Sequence, residues 1–148
     1  MAAWAYAGWA LGGALVGWGV LSTTRRLGAG TDSNEARETK IWAAMLVSAP
    51  LFYLAFALLG GASSAWLRIE LLGLLLYGGL AAAGVARWPA LVGIGWLLHM
   101  VWDSMVHMGT SATHVPSWYM PGCLGFDLVV GIMLLLGVRQ RPPAVVRA

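Results

Sequence analysis

The sequence is poor in charge and almost devoid of cysteine. Charged residues make up 10% of its 148 positions, against about 25% in an ordinary soluble domain, so a soluble globular fold is not expected. The single cysteine, Cys123, excludes an internal disulfide and leaves the redox compartment undefined. The sequence pI is about 9.5, but the basic residues are dispersed, which argues against a nucleic-acid partner. No basic segment precedes the first apolar run, so residues 1–22 are predicted to be a retained helix and not a cleaved signal peptide.

Long apolar runs take the place of charge. Hydrophobic residues make up 59% of the chain, and a helix needs about 20 mostly apolar residues to cross the hydrocarbon core of a bilayer. Five stretches meet that requirement, at about 3–22, 41–60, 65–86, 88–108 and 118–138. The sequence therefore predicts an all-α integral membrane bundle of five transmembrane helices, folded as a single domain over residues 1–148.

The distribution of basic residues predicts how this bundle is oriented. With five spans, the first loop, the third loop and the C-terminal tail lie on one side, and every Lys and Arg except Arg68 falls in those segments. Basic loops stay on the cytoplasmic side of a membrane. We therefore expect the N-terminus outside, the C-terminus in the cytoplasm, and a multi-pass protein of the cell inner membrane.

The residues able to carry chemistry are concentrated between Trp96 and Asp127. This stretch contains all three histidines, the only cysteine and two of the six acidic residues, and ionisable side chains at membrane depth usually mark a functional site. His99, Asp103 and His107 follow one another at four-residue steps, each of which drifts only about 40° around a helix. The three are therefore predicted to form one polar stripe on the fourth helix, facing the bundle.

Further ionisable groups are expected in the same half of the membrane. A rise of about 1.5 Å per residue puts Asp127 of the fifth helix at the level of His99, with Cys123 one turn closer to the outside. Glu70 belongs to the first turns of the third helix, and His114 to the outer loop. The predicted site thus lies in the extracytoplasmic half of the bundle.

Imidazole and carboxylate groups in this arrangement are typical metal ligands, suited to a divalent transition metal such as zinc or iron. The predicted ligands are His99, Asp103, His107 and Asp127, and the additional candidates are His114, Glu70 and Cys123. Asp103 and Asp127 are the predicted catalytic residues, as ligands or as proton-transfer groups. Alternatively, the same side chains only form hydrogen bonds that hold neighbouring helices together. For Glu70, the alternative is a solvated ion pair with Arg68.

Aromatic residues have two interpretations. Four tryptophans fall at predicted helix starts, where an aromatic belt at the membrane surface would put them: Trp42, Trp66, Trp88 and Trp118. Around the polar stretch, Trp96, Trp102, Trp118 and Tyr119 are either packing residues or the wall of a ligand pocket.

Three segments carry a resemblance: W-L-L-H-M-V-W-D-S-M-V-H, V-P-S-W-Y and C-L-G-F-D. Their pattern, W-x-x-H-x-x-W-D-x-x-x-H followed by W-Y and C-x-G-x-D, resembles a family of small bacterial multi-span membrane proteins of unknown function. The resemblance covers roughly the last third of the chain. It implies that five residues belong to one motif, namely His99, Asp103, His107, Cys123 and Asp127, and it implies no activity.

Three functions fit these patterns. In the first, a metal in the outer half of the bundle activates water or oxygen, or polarises a small apolar or lipid-like substrate. In the second, a metal-free module binds a small ligand, or relays or transports protons through its His and Asp side chains. In the third, a structural membrane subunit associates into a homo-oligomer through its glycine-rich first helix. Membrane lipid is the expected partner in all three.

Overall fold

The computed structural model describes residues 2–27, 34–108 and 114–139. Its elements are α1 (Ala3–Leu27), α2 (Asn34–Leu59), α3 (Ser64–Ala86), α4 (Ala90–Trp102), a π-helical turn (Asp103–His107) and α5 (Tyr119–Arg139). These ranges contain no strand, so the all-α prediction is confirmed for them. Leucine and alanine dominate the helices, and both favour helix over other conformations.

Three helices are long and apolar enough to cross a membrane: Ala36–Leu59 within α2, Ser64–Ala86, which is α3, and Tyr119–Gly137 within α5. Their outward surfaces carry large apolar side chains, such as Leu59 at 88% and Leu75 at 73% exposure. Several carboxylate and imidazole groups are buried instead. Apolar groups outside and ionisable groups inside are the distribution that contact with lipid requires.

The segment predicted as a polar loop, Thr23–Lys40, is largely helical. α1 continues to Leu27 and α2 begins at Asn34, while residues 28–33 lie outside the described part of the chain. The predicted ends were wrong because hydropathy marks where an apolar run ends, not where backbone hydrogen bonding ends. Basic side chains in the last turn of α1 favour its extension, because they complement the helix dipole.

The fourth helix also has different ends from those predicted. It begins at Ala90, with Pro89 at the N-cap position, and changes to the π-helical turn after Trp102. Proline suits the start of a helix because its missing N–H would have no helical acceptor there. Of the outer loop predicted over 109–117, residues 114–117 are described and the others lie outside the described ranges.

Arg25 joins three helices at one end of the bundle. Its Nε lies 2.9 Å from Oε1 of Glu38 on α2, and its Nη2 donates to the backbone carbonyl of Met133 on α5 at 2.9 Å. Such charge-assisted bonds are stronger than neutral ones. This end also carries Arg26, Arg37 and Lys40, three of the basic residues from which the cytoplasmic side was predicted.

α1 packs against α5 through small residues. A Cβ added to Gly13 would collide with the backbone of Gly122, and one added to Gly125 would collide with the backbone of α1. Only glycine permits so close an approach of two helices. Gly8 and Gly12 face open space instead. The glycine-rich helix therefore uses one of its two faces for packing within this chain.

Trp42 lies in the core and not in an interfacial belt. It is fully buried, with its ring centroid 6.2 Å from that of Trp96 and 6.3 Å from that of Phe126. The belt prediction for this residue was wrong because α2 starts at Asn34, about two helical turns earlier than expected. Trp88 and Trp118 are about half exposed, as a belt position requires.

Candidate metal centre

Three of the predicted ligands meet inside the bundle. Nδ1 of His99 lies 2.8 Å from Oδ2 of Asp127 and 3.7 Å from Oδ2 of Asp103. One ligand atom from each residue falls within 4.8 Å of the other two, and all three residues are at most 1% exposed. We call His99, Asp103 and Asp127 the inner cluster.

The inner cluster exists because α4 and α5 run side by side in opposite directions. Gly93 of α4 packs on Leu135 of α5, and Leu97 packs on Gly131, so the pairing is antiparallel and close. This register brings Asp127 to the level of His99, as the predicted rise along the two helices required. The polar faces of the two helices therefore do join.

Two tyrosines from other helices contact the inner cluster. The hydroxyl of Tyr53 donates to Oδ2 of Asp103 at 2.7 Å, and that of Tyr77 donates to the carbonyl of Leu98 at 3.1 Å with its ring 4.9 Å from His99. Oδ1 of Asp103 has no hydrogen-bond partner within the described ranges. Sequence reasoning missed both tyrosines, because a hydroxyl in an apolar helix carries no spacing signal.

The helix that carries the polar stripe changes its hydrogen bonding at Asp103. From Asp103 to His107 it is π-helical, and the amide of Met108 donates to the carbonyl of Asp103, five residues back, at 3.2 Å. A π turn inserts one extra residue, and such turns recur at functional sites. The insertion alters the direction in which His107 points relative to the unbroken α-helix that the sequence predicted.

His107 accordingly belongs to a second group of side chains. Its Nε2 lies 3.8 Å from Oε2 of Glu70, and Nε2 of His114 lies 3.6 Å from Oε1 of the same carboxylate. These side chains are 1%, 2% and 4% exposed for His107, Glu70 and His114. We call them the outer cluster, because they lie nearer than the inner cluster to the end of the bundle where α3 begins and the π turn ends. Glu70 is therefore not solvated, although Arg68 is exposed.

Aromatic rings hold the outer cluster and divide it from the inner one. Tyr53 stacks on His107, with centroids 4.2 Å apart and planes inclined by 9°, while its centroid is 6.0 Å from that of His99. Trp66 covers the outer cluster, at 5.9 Å from His107 and 5.3 Å from His114. Burial lowers the pKa of His114 below its usual value, which favours the neutral imidazole that metals require.

A cavity of about 470 Å³ borders the inner cluster. Its walls come from α1, α2, α4, α5 and Trp118, the residue before α5: Trp9, Gly12, Gly13, Val16, Met45, Ser48, Ala49, Phe52, Trp96, Trp118, Tyr119, Gly122, Cys123, Phe126 and Asp127. The wall residues Trp9, Val16 and Phe52 are about half exposed, so the cavity opens onto the apolar outer surface of the bundle. Asp127 touches both this cavity and the inner cluster.

The predicted site residues thus fall into three places. The inner cluster holds three of the four predicted ligands, and the outer cluster holds His107 with the additional candidates Glu70 and His114. Cys123 is a free thiol in the cavity wall and joins neither cluster. Trp96, Trp118 and Tyr119 line the cavity, which favours their interpretation as a pocket wall over packing alone.

The inner cluster could hold a divalent metal ion. It offers one imidazole and two carboxylates, a donor set that suits zinc, iron or manganese. Two ligands on a tetrahedral ion with bonds near 2.1 Å are about 3.4 Å apart; His99 lies 2.8 and 3.7 Å from the two carboxylates, and the three ligand atoms are all within 4.8 Å of one another. Small side-chain movements would therefore suffice to coordinate an ion.

Comparison with known proteins adds a family and no activity. The curated proteins and the solved structures each gave no significant match. One family model matches residues 31–140, a range that includes both clusters and excludes α1. The match agrees with the expected membership of a family of unknown function. The chain belongs to DUF6010, a family of unknown function.

Proposed function

We propose that this chain is a multi-pass membrane protein that binds a divalent transition metal at His99, Asp103 and Asp127 and uses it on an apolar or lipid-like molecule. The observation that carries the proposal is the convergence of three buried ligand atoms within 4.8 Å of one another. Buried carboxylates without compensation are costly, and a bound cation would compensate them.

Five spans remain the best topology for this proposal. α1 is 25 residues long, about 37 Å of helix. α4 and the π turn together give 18 residues, about 27 Å. Both lengths are close to the roughly 30 Å of a hydrocarbon core. The basic residues at the Arg25 end support a cytoplasmic C-terminus, an extracytoplasmic N-terminus and an inner-membrane location.

The metal would replace a proton in the inner cluster. In its absence, the 2.8 Å contact between Nδ1 of His99 and Oδ2 of Asp127 needs a proton between the two atoms. Ligands must be deprotonated to coordinate, so binding releases protons. When bound, the ion would act as a Lewis acid or activate water. Tyr53 would orient Asp103, and the displaced proton would leave the inner cluster.

The cavity supports an apolar or lipid-like substrate. Its wall is built mainly from Trp, Phe, Met, Ala and Gly, and it opens where apolar side chains are exposed. A substrate entering there would meet Asp127 before any other member of the inner cluster. Apolar pockets with a few convergent polar groups are typical small-molecule sites.

Metal analysis of the purified protein tests the proposal. We expect about one tightly held zinc or iron per inner cluster, lost in Asp127→Asn, which keeps a hydrogen-bond acceptor for His99 but removes the negative charge. Ser104→Ala is the matched control, because Ser104 lies in the π turn and donates only to the carbonyl of Met100. An Asp127→Asn protein that retains the full metal content of the wild type would contradict the proposal.

A metal-free function is the second candidate, and one observation favours it. The His99–Asp127 and Tyr53–Asp103 hydrogen bonds satisfy much of the inner cluster without an ion. Such a network could relay a proton or bind a small polar group. It predicts that the protein binds no metal after reconstitution, yet that His99→Gln abolishes ligand binding or a pH-dependent flux in liposomes. Unchanged flux and binding in His99→Gln would exclude this candidate.

A further inference from the structure

We infer that Glu70, His107 and His114 form a second divalent-cation site, separate from the inner cluster and closer to the end of the bundle where α3 begins. The inference goes beyond the proposed function, because it concerns side chains that the inner cluster does not use. Its ligand class is a divalent transition metal bound by two imidazoles and one carboxylate.

The spacing of the outer cluster is the first argument. The two imidazole nitrogens are 3.6 and 3.8 Å from the carboxylate oxygens of Glu70. These separations exceed hydrogen-bond distances, which end near 3.2 Å for N–H···O. They are close to the roughly 3.4 Å between two ligands on one tetrahedral ion. Each histidine faces a different oxygen of Glu70. As a set the three residues are spread more widely than the inner cluster, whose ligand atoms all lie within 4.8 Å of one another, so an ion would draw the two imidazoles together around one oxygen of Glu70.

Unmet polar atoms are the second argument. Oε1 of Glu70 and Nε2 of His114 have no hydrogen-bond partner within the described ranges, although both atoms are fully buried. A buried polar atom without a partner loses its hydrogen bonds to water and forms none in their place. Each such atom in a native fold therefore requires an explanation. A cation between the two residues would satisfy both atoms at once.

The fold fixes the three ligands from separate elements. Glu70 comes from α3, His107 from the π turn and His114 from the loop before α5. Trp66 lies against both imidazoles and Tyr53 stacks on His107, so the rings have little freedom to rotate away.

The three ligands of the outer cluster would leave one position of a tetrahedral ion open. Two neutral imidazoles and one carboxylate would also leave a divalent ion with a net positive charge, so a water molecule or an anionic group would fill that position. Catalytic zinc sites use the same donor set with water in the fourth position. The outer cluster shares no ligand with the inner one, so the two sites can be emptied one at a time.

Cobalt(II) loading of the full-length protein in detergent tests the inference. Cobalt is counted per chain by mass spectrometry, and its visible absorption reports coordination geometry. We expect about two ions in the wild type, about one in Glu70→Gln and about one in His114→Gln. Ser104→Ala, the matched control, should keep both. Asp127→Asn should lose the other ion, and the Glu70→Gln/Asp127→Asn pair should bind none.

Each result separates the two sites. One ion in the wild type that Glu70→Gln leaves in place overturns the outer site and leaves the proposed function standing. One ion that Glu70→Gln removes and Asp127→Asn does not supports the outer site and contradicts the proposed function. If Glu70→Gln fails to fold, His114→Gln decides, because His114 lies outside the helices; a full complement of ions in that variant overturns the inference.

Discussion

The inner and outer clusters both combine imidazole and carboxylate side chains, but they differ in how closely these groups approach one another. The inner cluster has contacts of 2.8 Å between His99 and Asp127 and 2.7 Å between Tyr53 and Asp103. In the outer cluster the corresponding contacts are 3.6 and 3.8 Å, longer than hydrogen bonds. The inner cluster is thus largely satisfied by hydrogen bonds within the protein, whereas Oε1 of Glu70 and Nε2 of His114 in the outer cluster have no hydrogen-bond partner in the described part of the chain. Ionisable side chains can therefore converge in a fold without forming hydrogen bonds to one another.

The largest expected effect concerns stability without metal. Asp127→Leu removes the acceptor of His99 and should lower the free energy of unfolding by about 3 kcal/mol, since it leaves a buried polar partner unpaired. Glu70→Leu breaks no hydrogen bond within the described ranges and should change the free energy of unfolding by less than about 1 kcal/mol. Reversible unfolding of the chelator-treated protein in mixed micelles measures both. Equal losses in the two variants would erase the distinction between the clusters.

Metal should stabilise the protein through both clusters. A ligand at about 100 times its dissociation constant stabilises the native state by about 2.7 kcal/mol per site. The increase in the free energy of unfolding that metal gives the wild type should therefore fall by about half in either Asp127→Asn or Glu70→Gln. The same unfolding assay with and without zinc provides the number. A gain that survives intact in both variants would show that zinc binds elsewhere.

Tyr53 offers a way to perturb one cluster and spare the other. Tyr53→Phe removes the hydroxyl that donates to Asp103 but keeps the ring that stacks on His107. Loss of a group that orients a ligand typically weakens metal binding by about 10-fold or more, so the inner affinity should fall by that factor. The outer affinity should stay within about twofold. Competition with a coloured chelator measures both; equal weakening would indicate that the clusters are coupled.

The smallest effect concerns the cavity beside the inner cluster. Gly12 lines the cavity and a Cβ added there meets no atom within 4 Å, so Gly12→Leu should extend into the cavity without a backbone clash. We expect several-fold weaker binding of a spin-labelled fatty acid and unchanged metal content. Gly8→Leu is the control, because Gly8 also faces open space but does not line the cavity. Identical effects of the two substitutions would show that the fatty acid does not bind in the cavity.

The inner cluster was accessible from sequence because helices are regular. A fixed rise and a fixed angle per residue are enough to put His99 and Asp103 on one face and Asp127 at the same depth. The division into two clusters was not accessible. It depends on the π turn at Asp103–His107, and a π turn has no composition or spacing by which this sequence could reveal it.

Helix ends and neutral partners were also beyond the sequence. Hydropathy located the apolar cores of the helices but placed the start of the second helix seven residues late, at Ile41 instead of Asn34, and so put Trp42 at an interface. Tyr53 was missed because its role depends on which side of α2 faces α4. An apolar helix with no clear polar face does not show which side turns toward its neighbour.

Anomalous diffraction from crystals of the zinc-loaded protein would locate the ion itself. We expect a strong zinc peak about 2.1 Å from a ring nitrogen of His99 and from carboxylate oxygens of Asp103 and Asp127. A structure at full zinc saturation with no peak there, and with the 2.8 Å contact between His99 and Asp127 intact, would contradict the proposed metal site.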